Sequence, residues 1–444
     1  MKLPQAFTER LHADLGHTEA DKLIDCILEN NPPVSVRLNP SKNVEMEWDS
    51  RVNWSKFGHY LASRISFIED PQWHAGAYYV QEASSMFLEY ICKLIELPTR
   101  ATILDACAAP GGKSTLLLSQ ISPLATLISN EVIPSRNAVL RENIMRWGYP
   151  NCIVTQNDTS QFAHLNDFFD AVFVDAPCSG EGLFRKDPES IKQWSTDHVQ
   201  LCQIRQKQIL QNLYPSVKPG AYLIYSTCTF NRGENFDAPA FLLQEGFESV
   251  PLPIDNFPEI DYLQIHGIHG YAFHPCKVKG EGFFVSVFRK KGSSTIPKEI
   301  AKTPPAPKLP ESDFIECEQT LMPLKIGSIS FVMPLNTYQT ARSLLNLKIT
   351  YAGFRAGAVK GTDYVPSGDM AYQIGLKKEN INLLELELPE AISYLKRESV
   401  KPRPELKKGI YLATFKGNGL GWLKQIGPRF NNILAPELRI KKAL

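Results

Sequence analysis

Five short apolar runs alternate with amphipathic segments through the middle of the chain, and this alternation constrains the fold more than any other feature. The runs are ATILDA (101–106), ATLISNE (125–131), NCIVTQND (151–158), DAVFVDAP (170–177) and AYLIYSTC (221–228). Each is apolar throughout and ends on polar or small residues. Between them lie KSTLLLSQI, SRNAVLRENIMRWG and HVQLCQIRQKQILQNLYPSV, whose apolar residues recur at helical spacing. Strands that are hydrophobic on both faces, separated by helices, predict a parallel sheet covered on both sides. The run FFVSVFRK (283–290) is expected to close that sheet as a late strand.

This α/β core spans about 76–292. Residues 1–75 mix short helical patterns with a strand-like run at 33–39 and are expected to form an N-terminal extension. Residues 293–312 carry five prolines and little apolar content, so they read as a linker. A small α+β region is expected at 313–385. Short β patterns broken by glycine (GIYLATF, LGWLKQI) mark a last domain at 386–444. Two to four domains suit a chain of 444 residues.

The cysteine pattern excludes two classes. Nine cysteines are scattered without a CxxC pair, which argues against a disulfide framework and a zinc site and for a reducing, cytoplasmic setting. No run of about 18 apolar residues is present, so no membrane span is expected, and the opening residues lack the apolar core of a signal peptide. The net charge is only +1, yet residues 401–444 hold ten Lys/Arg against two Glu, a local +8. A basic end on a neutral chain points to a polyanionic partner, or to a solvated surface.

Three motifs carry chemistry. The first is Asp105-Ala106-Cys107-Ala108-Ala109-Pro110-Gly111-Gly112-Lys113, a strand end, a small-residue loop and a helix start. Small residues let the backbone approach a ligand, and a helix N-terminus offers free N–H groups. Glu131, 20 residues past Gly111, ends the next strand and can accept hydrogen bonds from a ribose. A P-loop is excluded because Cys107 stands where its first glycine belongs, and a GxGxxG dinucleotide loop is absent. The second motif is Asp175-Ala176-Pro177-Cys178-Ser179-Gly180-Glu181-Gly182. The third is Ser226-Thr227-Cys228-Thr229, with Glu234 and Asn235 shortly after. All three lie at carboxyl ends of strands, the edge where ligands bind in open α/β sheets. Cys26, Cys92, Cys152, Cys202 and Cys317 read as small buried hydrophobes.

With Tyr79-Val80-Gln81-Glu82-Ala83-Ser84-Ser85-Met86 upstream, these motifs resemble the Sun/Fmu family of RNA cytosine-5 methyltransferases. The Phe184-Arg185-Lys186-Asp187-Pro188 extension and the basic C-terminal region resemble its bacterial ribosomal-RNA, RsmF-type branch. The resemblance covers nearly the whole chain. It implies a Rossmann-like methyltransferase core using S-adenosyl-L-methionine, an RNA-binding N-terminal extension and a PUA-like RNA-binding C-terminal domain. It implies that Cys107, Ala108, Ala109, Pro110, Gly111, Gly112 and Lys113 hold the methionine part of the cofactor and that Glu131 holds its ribose. Arg136, Asp158 and Asp175 stand where further cofactor contacts are expected. Cys228 resembles the family's nucleophile and Cys178 its product-release cysteine. The partner implied is ribosomal RNA or the small ribosomal subunit, with the protein a monomer away from membranes.

Cytosine C5 is a poor nucleophile, so a thiolate adding at C6 is needed to push electrons onto it. Asp175 is the candidate acid near N3. Chemistry alone leaves either cysteine as the attacker; the resemblance selects Cys228. The target base has to leave its stack to be reached. A DNA cytosine-5 enzyme would place its nucleophile in a PCQ motif, whereas Ser179 follows Cys178 here. A non-catalytic RNA-binding factor on the same fold is disfavoured by the intact cysteine pair. Ala272 and Cys276, flanking Phe273-His274-Pro275, and Phe236 after Asn235 depart from the family pattern, away from the two cysteines.

Overall fold

The computed structural model describes residues 2–29, 31–293, 307–361, 363–401, 403, 405–427 and 429–440. Most of the expected linker (294–306) and the last four residues of the basic end therefore lie outside the described residues.

The N-terminal part begins with helices Gln5–Leu15 and His17–Leu28. Strands β1 (Val34–Leu38), β2 (Ser50–Arg51), β3 (Gly58–Leu61) and β4 (Tyr78–Val80) follow as an antiparallel sheet in the order β2-β3-β1-β4. This sheet takes in Tyr78–Val80, a few residues past the boundary drawn from sequence. Its anchor is Arg37, which is 1% exposed and has no carboxylate among its hydrogen-bond partners. The guanidinium donates to Gln81 Oε1 (2.8 Å), Gly112 O (3.2 Å) and Thr115 Oγ1 (2.6 Å) and stands 4.6 Å over the Trp147 ring. A buried charge is tolerable only when its donors are met, and these partners come from the core, so the extension is locked to it.

The five apolar runs become β5 (Thr102–Asp105), β6 (Thr126–Asn130), β7 (Cys152–Thr155), β8 (Phe169–Asp175) and β9 (Val217–Thr227). All five are parallel, in the order β7-β6-β5-β8-β9. Ile103, Leu104, Leu127, Ile128, Val172 and Leu223 are fully buried, as strands covered on both faces require. The chain runs outward from β5 through β6 to β7, then crosses back to β8, so the order reverses between β5 and β8. Ligands bind at such a switch point, outside the carboxyl ends.

Both flanks turn antiparallel. The short β10 (Phe247–Ser249) pairs with β13, and β11 (Asp261–Ile265), β12 (Ile268–Phe273) and β13 (Phe283–Lys290) extend the sheet beyond β9. The FFVSVFRK run is thus a late strand of this sheet, as expected, but it does not close it: it lies between β9 and β12. On the other side, β14 (Leu321–Ile326) and β15 (Ile329–Pro334) form a hairpin, and β16 (Ile349–Ala352) pairs antiparallel with β7. The 313–385 segment therefore contributes a strand to the central sheet itself. It covers the β7 edge, whose unpaired backbone would otherwise be exposed.

Beyond it, β17 (Phe354–Arg355), the hairpin β18 (Ala358–Lys360) and β19 (Asp363–Val365), and β20 (Leu383–Glu385) lead to β21 (Gly409–Phe415), β22 (Asn418–Gln425) and β23 (Phe430–Asn432). The last sheet runs β20-β21-β22-β23. Tyr372 donates to Leu420 O (2.8 Å), and Asn43 and Asn418 exchange hydrogen bonds, tying this sheet to both earlier parts. The +8 end is partly neutralised: Arg403 pairs with Glu390 and Lys416 with Glu45. Among the described residues, no helix is long and apolar enough to cross a membrane.

Gly148 closes helix Pro134–Trp147 in the left-handed region at φ 85°, and a Cβ there would stand 2.0 Å from Tyr372 O. Gly16 has a similar φ of 78° with open space around it. Gly16, with ψ 158°, lies in a region that essentially only glycine occupies, so Gly16→Ala is expected to cost about 1–3 kcal/mol of backbone strain, and Gly148→Ala more, because the Tyr372 backbone has to move as well. Urea unfolding of both variants checks this; equal losses would mean that the Tyr372 junction yields freely.

Candidate active site

The first loop leaves β5 at Asp105 and is fixed by its neighbours. Ala106 N donates to Phe173 O (2.9 Å) and Ala108 N to Asn130 O (2.8 Å). Gly111 adopts φ 113°, a conformation that favours glycine, and precedes helix Gly112–Gln120. A Cβ on Gly112 would press on the Tyr79 ring at 3.3 Å, so the loop has no room for larger residues. Asp105 is fully buried. Ser114 Oγ donates to its Oδ2 at 2.6 Å, while its Oδ1 has no partner among the described residues. Burial pushes the Asp105 carboxyl up to about 7; the Ser114 hydrogen bond opposes this and the Asp175 charge adds to it.

Glu131 ends β6 at 4% exposure. Its Oε1 accepts from Ile133 N (2.9 Å), and Oε2 faces Arg136 Nη1 at 3.4 Å. The other Arg136 terminal nitrogen donates to Ala109 O (2.9 Å), so this arginine clasps the loop to Glu131. Asp158, exposed after β7, spends Oδ1 on Ser160 N and Oγ. It makes no contact with the other candidate residues among the described ones. Cys107 is half-buried, and burial raises its thiol far above the usual range, as suits a wall residue rather than a nucleophile.

The second centre lies at the ends of β8 and β9. Lys113 reaches from the first loop to Asp175, Nζ to Oδ2 at 2.7 Å, and Ser226 Oγ donates to Asp175 Oδ1 at 2.9 Å. Burial pulls the Lys113 ammonium down, but Asp175 and the nearby Cys228 more than offset it, and the net shift is upward. Cys178 Sγ and Cys228 Sγ stand 3.1 Å apart, with Cys228 N donating to Cys178 Sγ (3.3 Å). Both cysteines are free and half-buried. The Cys178 thiol is held well above its usual range, chiefly by its hydrogen bond to Cys228 and then by burial.

Several residues do work the sequence did not assign. Glu234 is fully buried on a π-helical turn, Gly233–Asp237. It accepts from Ser179 N (2.9 Å), Ser179 Oγ (2.5 Å), Gln206 Nε2 (2.7 Å) and Thr229 Oγ1 (3.3 Å). Glu181, also buried, accepts from Arg10, Trp194 Nε1 and Phe230 N, so the N-terminal helix is pinned to the cysteine loop. Both acids stand inside the quoted motifs. The signal that could have marked them is an acid set among small or apolar residues at a strand end, where solvation is denied.

The comparisons with known proteins agree along the chain. Residues 93–289 match the family model described as 16S rRNA methyltransferase RsmB/F, 3–83 the N-terminal domain of 16S rRNA methyltransferase RsmF, and 381–440 the methyltransferase RsmF PUA domain. The ribosomal RNA small subunit methyltransferase F of Aeromonas salmonicida is 30% identical over 87% of this chain and 84% of its own. That of Aliivibrio fischeri is 29% identical over 98% and 97%. The chain belongs to the RsmF family of small-subunit ribosomal RNA methyltransferases. A crystal structure of a methyltransferase homolog from Pyrococcus horikoshii, 26% identical, superposes with a TM-score of 0.55 over 65% of this chain and 95% of that one. As an RsmF-family member the protein is an S-adenosylmethionine-dependent ribosomal RNA methyltransferase with a Rossmann-like core and a C-terminal PUA-like domain. The unpartnered Asp105 oxygen, the tight Gly111–Gly112 turn and the acid at Glu131 form a cradle that fits this cofactor.

The Asp105 carboxyl has a pH signature. Its ordinary value is 3.8 and its folded value about 7. Its contribution to stability is therefore complete below about pH 4 and lost as pH rises through about 7. In cofactor-free protein, Asp105→Asn is expected to flatten the fall of Tm between pH 4 and 7. An unchanged slope would mean that Asp105 is ionised throughout that range.

Proposed function

We propose that the protein methylates C5 of a cytosine in small-subunit ribosomal RNA through a covalent bond between Cys228 Sγ and C6 of the base. The observation that carries this reading is the 3.1 Å separation of Cys178 Sγ and Cys228 Sγ at the ends of adjacent strands, beside Asp175. Two thiols facing each other next to a carboxylate suit a reaction in which one sulfur bonds the base and the other serves its departure.

The geometry supports the following steps. Cys178 and Cys228 share a hydrogen bond across 3.1 Å, and the attacking form is the Cys228 thiolate, once the pair has released a proton to solvent. That thiolate adds to C6; the new S–C6 bond forms and the C5–C6 π pair moves to C5. Asp175 presents acceptor oxygens to the cytosine amino group, and the proton that N3 requires sits on Lys113, 2.7 Å from that carboxylate. The cofactor, when bound, supplies an electrophilic sulfonium methyl. After transfer a water takes the C5 proton, the N3 proton returns to Lys113, the C6–S pair returns to Cys228, and the C5–C6 double bond is restored. Cys178, 3.1 Å away, protonates the departing sulfur.

For the cofactor we infer that Cys107, Ala108, Ala109, Pro110, Gly111 and Gly112 wrap its methionine part. Glu131 accepts from the ribose hydroxyls, with Arg136 orienting it. Asp158 faces the base side through its free Oδ2, and Lys113 bridges to Asp175.

Two experiments test the reading. On RNA, Cys228→Ala is expected to lose both methyl transfer and adduct, running as free protein on a denaturing gel. Cys178→Ala is expected to transfer and then stall as a slower, RNA-linked band. The reverse pattern would make Cys178 the nucleophile, and methylation without any adduct on 5-fluorocytosine RNA would remove the covalent step. For the cofactor, Glu131→Ala removes charge-assisted hydrogen bonds worth about 1.5–3 kcal/mol each. Calorimetry is expected to show S-adenosylmethionine binding at least tenfold weaker; unchanged affinity would take Glu131 out of the site.

A further inference from the structure

A cavity of about 660 Å³ lies between the segment that follows the linker and the C-terminal sheet, and it shares no residue with the cysteine cleft. Its size falls within the range of pockets that hold small ligands. Its lining combines three features that the methyl-transfer reaction leaves unused. Phe314 and Tyr364 stack on each other at 5.4 Å with 11° between their planes, and Trp422 adds a third aromatic ring. Lys408 and Lys424 also line the cavity, and no acidic residue does. Neither lysine makes a salt bridge among the described residues.

The third feature is Gln425. It is 1% exposed, and its Nε2 donates to Arg403 O (3.1 Å) and Gly427 O (3.0 Å). Those two carbonyls settle which end of the amide is the nitrogen. Gln425 is one of the residues that line the cavity, and its Oε1 is then a buried acceptor without a partner among the described residues. An unmet buried acceptor carries a cost that a ligand N–H can remove.

We propose that this cavity holds one unpaired nucleotide of the RNA substrate. The base continues the Phe314–Tyr364 stack and gives an N–H to Gln425 Oε1, while the flanking phosphates lie against Lys408 and Lys424. Aromatic stacking with lysines along the backbone is how single strands are held without a duplex to read, and two lysines with no acid in the lining favour a polyanion. The proposal deepens the assignment of RNA as substrate, and it does not depend on which atom is methylated. The PUA-like sheet then supplies one wall of a nucleotide site whose other wall comes from the preceding segment.

The test uses the full chain and two fluorescein-labelled 12-nucleotide RNAs, one of adenosine and one of purine ribonucleoside. The second keeps the stacking ring but has no N–H on its base. Wild type is expected to bind the adenosine strand about five- to tenfold more tightly by fluorescence anisotropy, and Gln425→Leu to bind both alike. Lys408→Glu/Lys424→Glu, which reverses the two lining charges and leaves the aromatic rings and Gln425 in place, should weaken both RNAs at least tenfold and make the salt dependence shallower by about one to one and a half, at roughly 0.7 per phosphate contact. Equal binding of the two RNAs by wild type would overturn the base contact whatever the variants do. An unchanged Kd and salt slope in the lysine variant would overturn the site. Cys228→Ala is expected to match wild type in every one of these measurements, so a failure of the covalent chemistry would appear on the denaturing gel and leave these Kd values untouched.

Discussion

Glu234 draws the two cysteine loops and helix Thr196–Leu213 onto one buried carboxylate. Its oxygens take a backbone and a side-chain bond from Ser179, one from Gln206 and one from Thr229. Burial raises its carboxyl, and the hydrogen bonds from Ser179 and Gln206 oppose that shift. A carboxylate so placed is tolerable only while every donor is in position. The network therefore fixes the loops against each other, and the 3.1 Å sulfur separation depends on it. Glu181 repeats the device one layer out, through Trp194 and Arg10.

The same logic explains why the N-terminal extension is part of the site. Arg37 and Arg10 both spend their charge on core partners: Arg37 on the start of the cofactor-loop helix, Arg10 on the cysteine loop. Phe7 packs against Phe184 and Trp194, so the first helix shares a small core with the 184–199 segment. The N-terminal extension is thus packed and hydrogen-bonded against the loops that carry the two cysteines.

Much of this was legible in advance. The five apolar runs became five parallel strands because each is too apolar to face water on either side. The tight loop after β5 was legible because few sequences place four small residues between a strand and a helix. What sequence reading missed concerned edges. Strand Ile349–Ala352 carries no mark of its destination; it joins β7 because that edge was open. The basic end looked like one continuous charge, yet two of its cations are spent on Glu390 and Glu45.

By itself the sequence determined the class of fold, the small-residue loop between the first parallel strand and its helix, and the pair of cysteines set at strand ends. These follow from local rules: side-chain period, glycine where backbone bends tightly, and strand ends as loop sites. Only the tertiary structure decided that Cys178 and Cys228, 50 residues apart, face each other, that Lys113 answers Asp175, and that Gln425 holds an unmet acceptor beside three aromatic rings. The reason is physical. Proximity across strands and the loss of water on burial belong to the packed chain as a whole, and both change what a side chain can do without changing its name in the sequence.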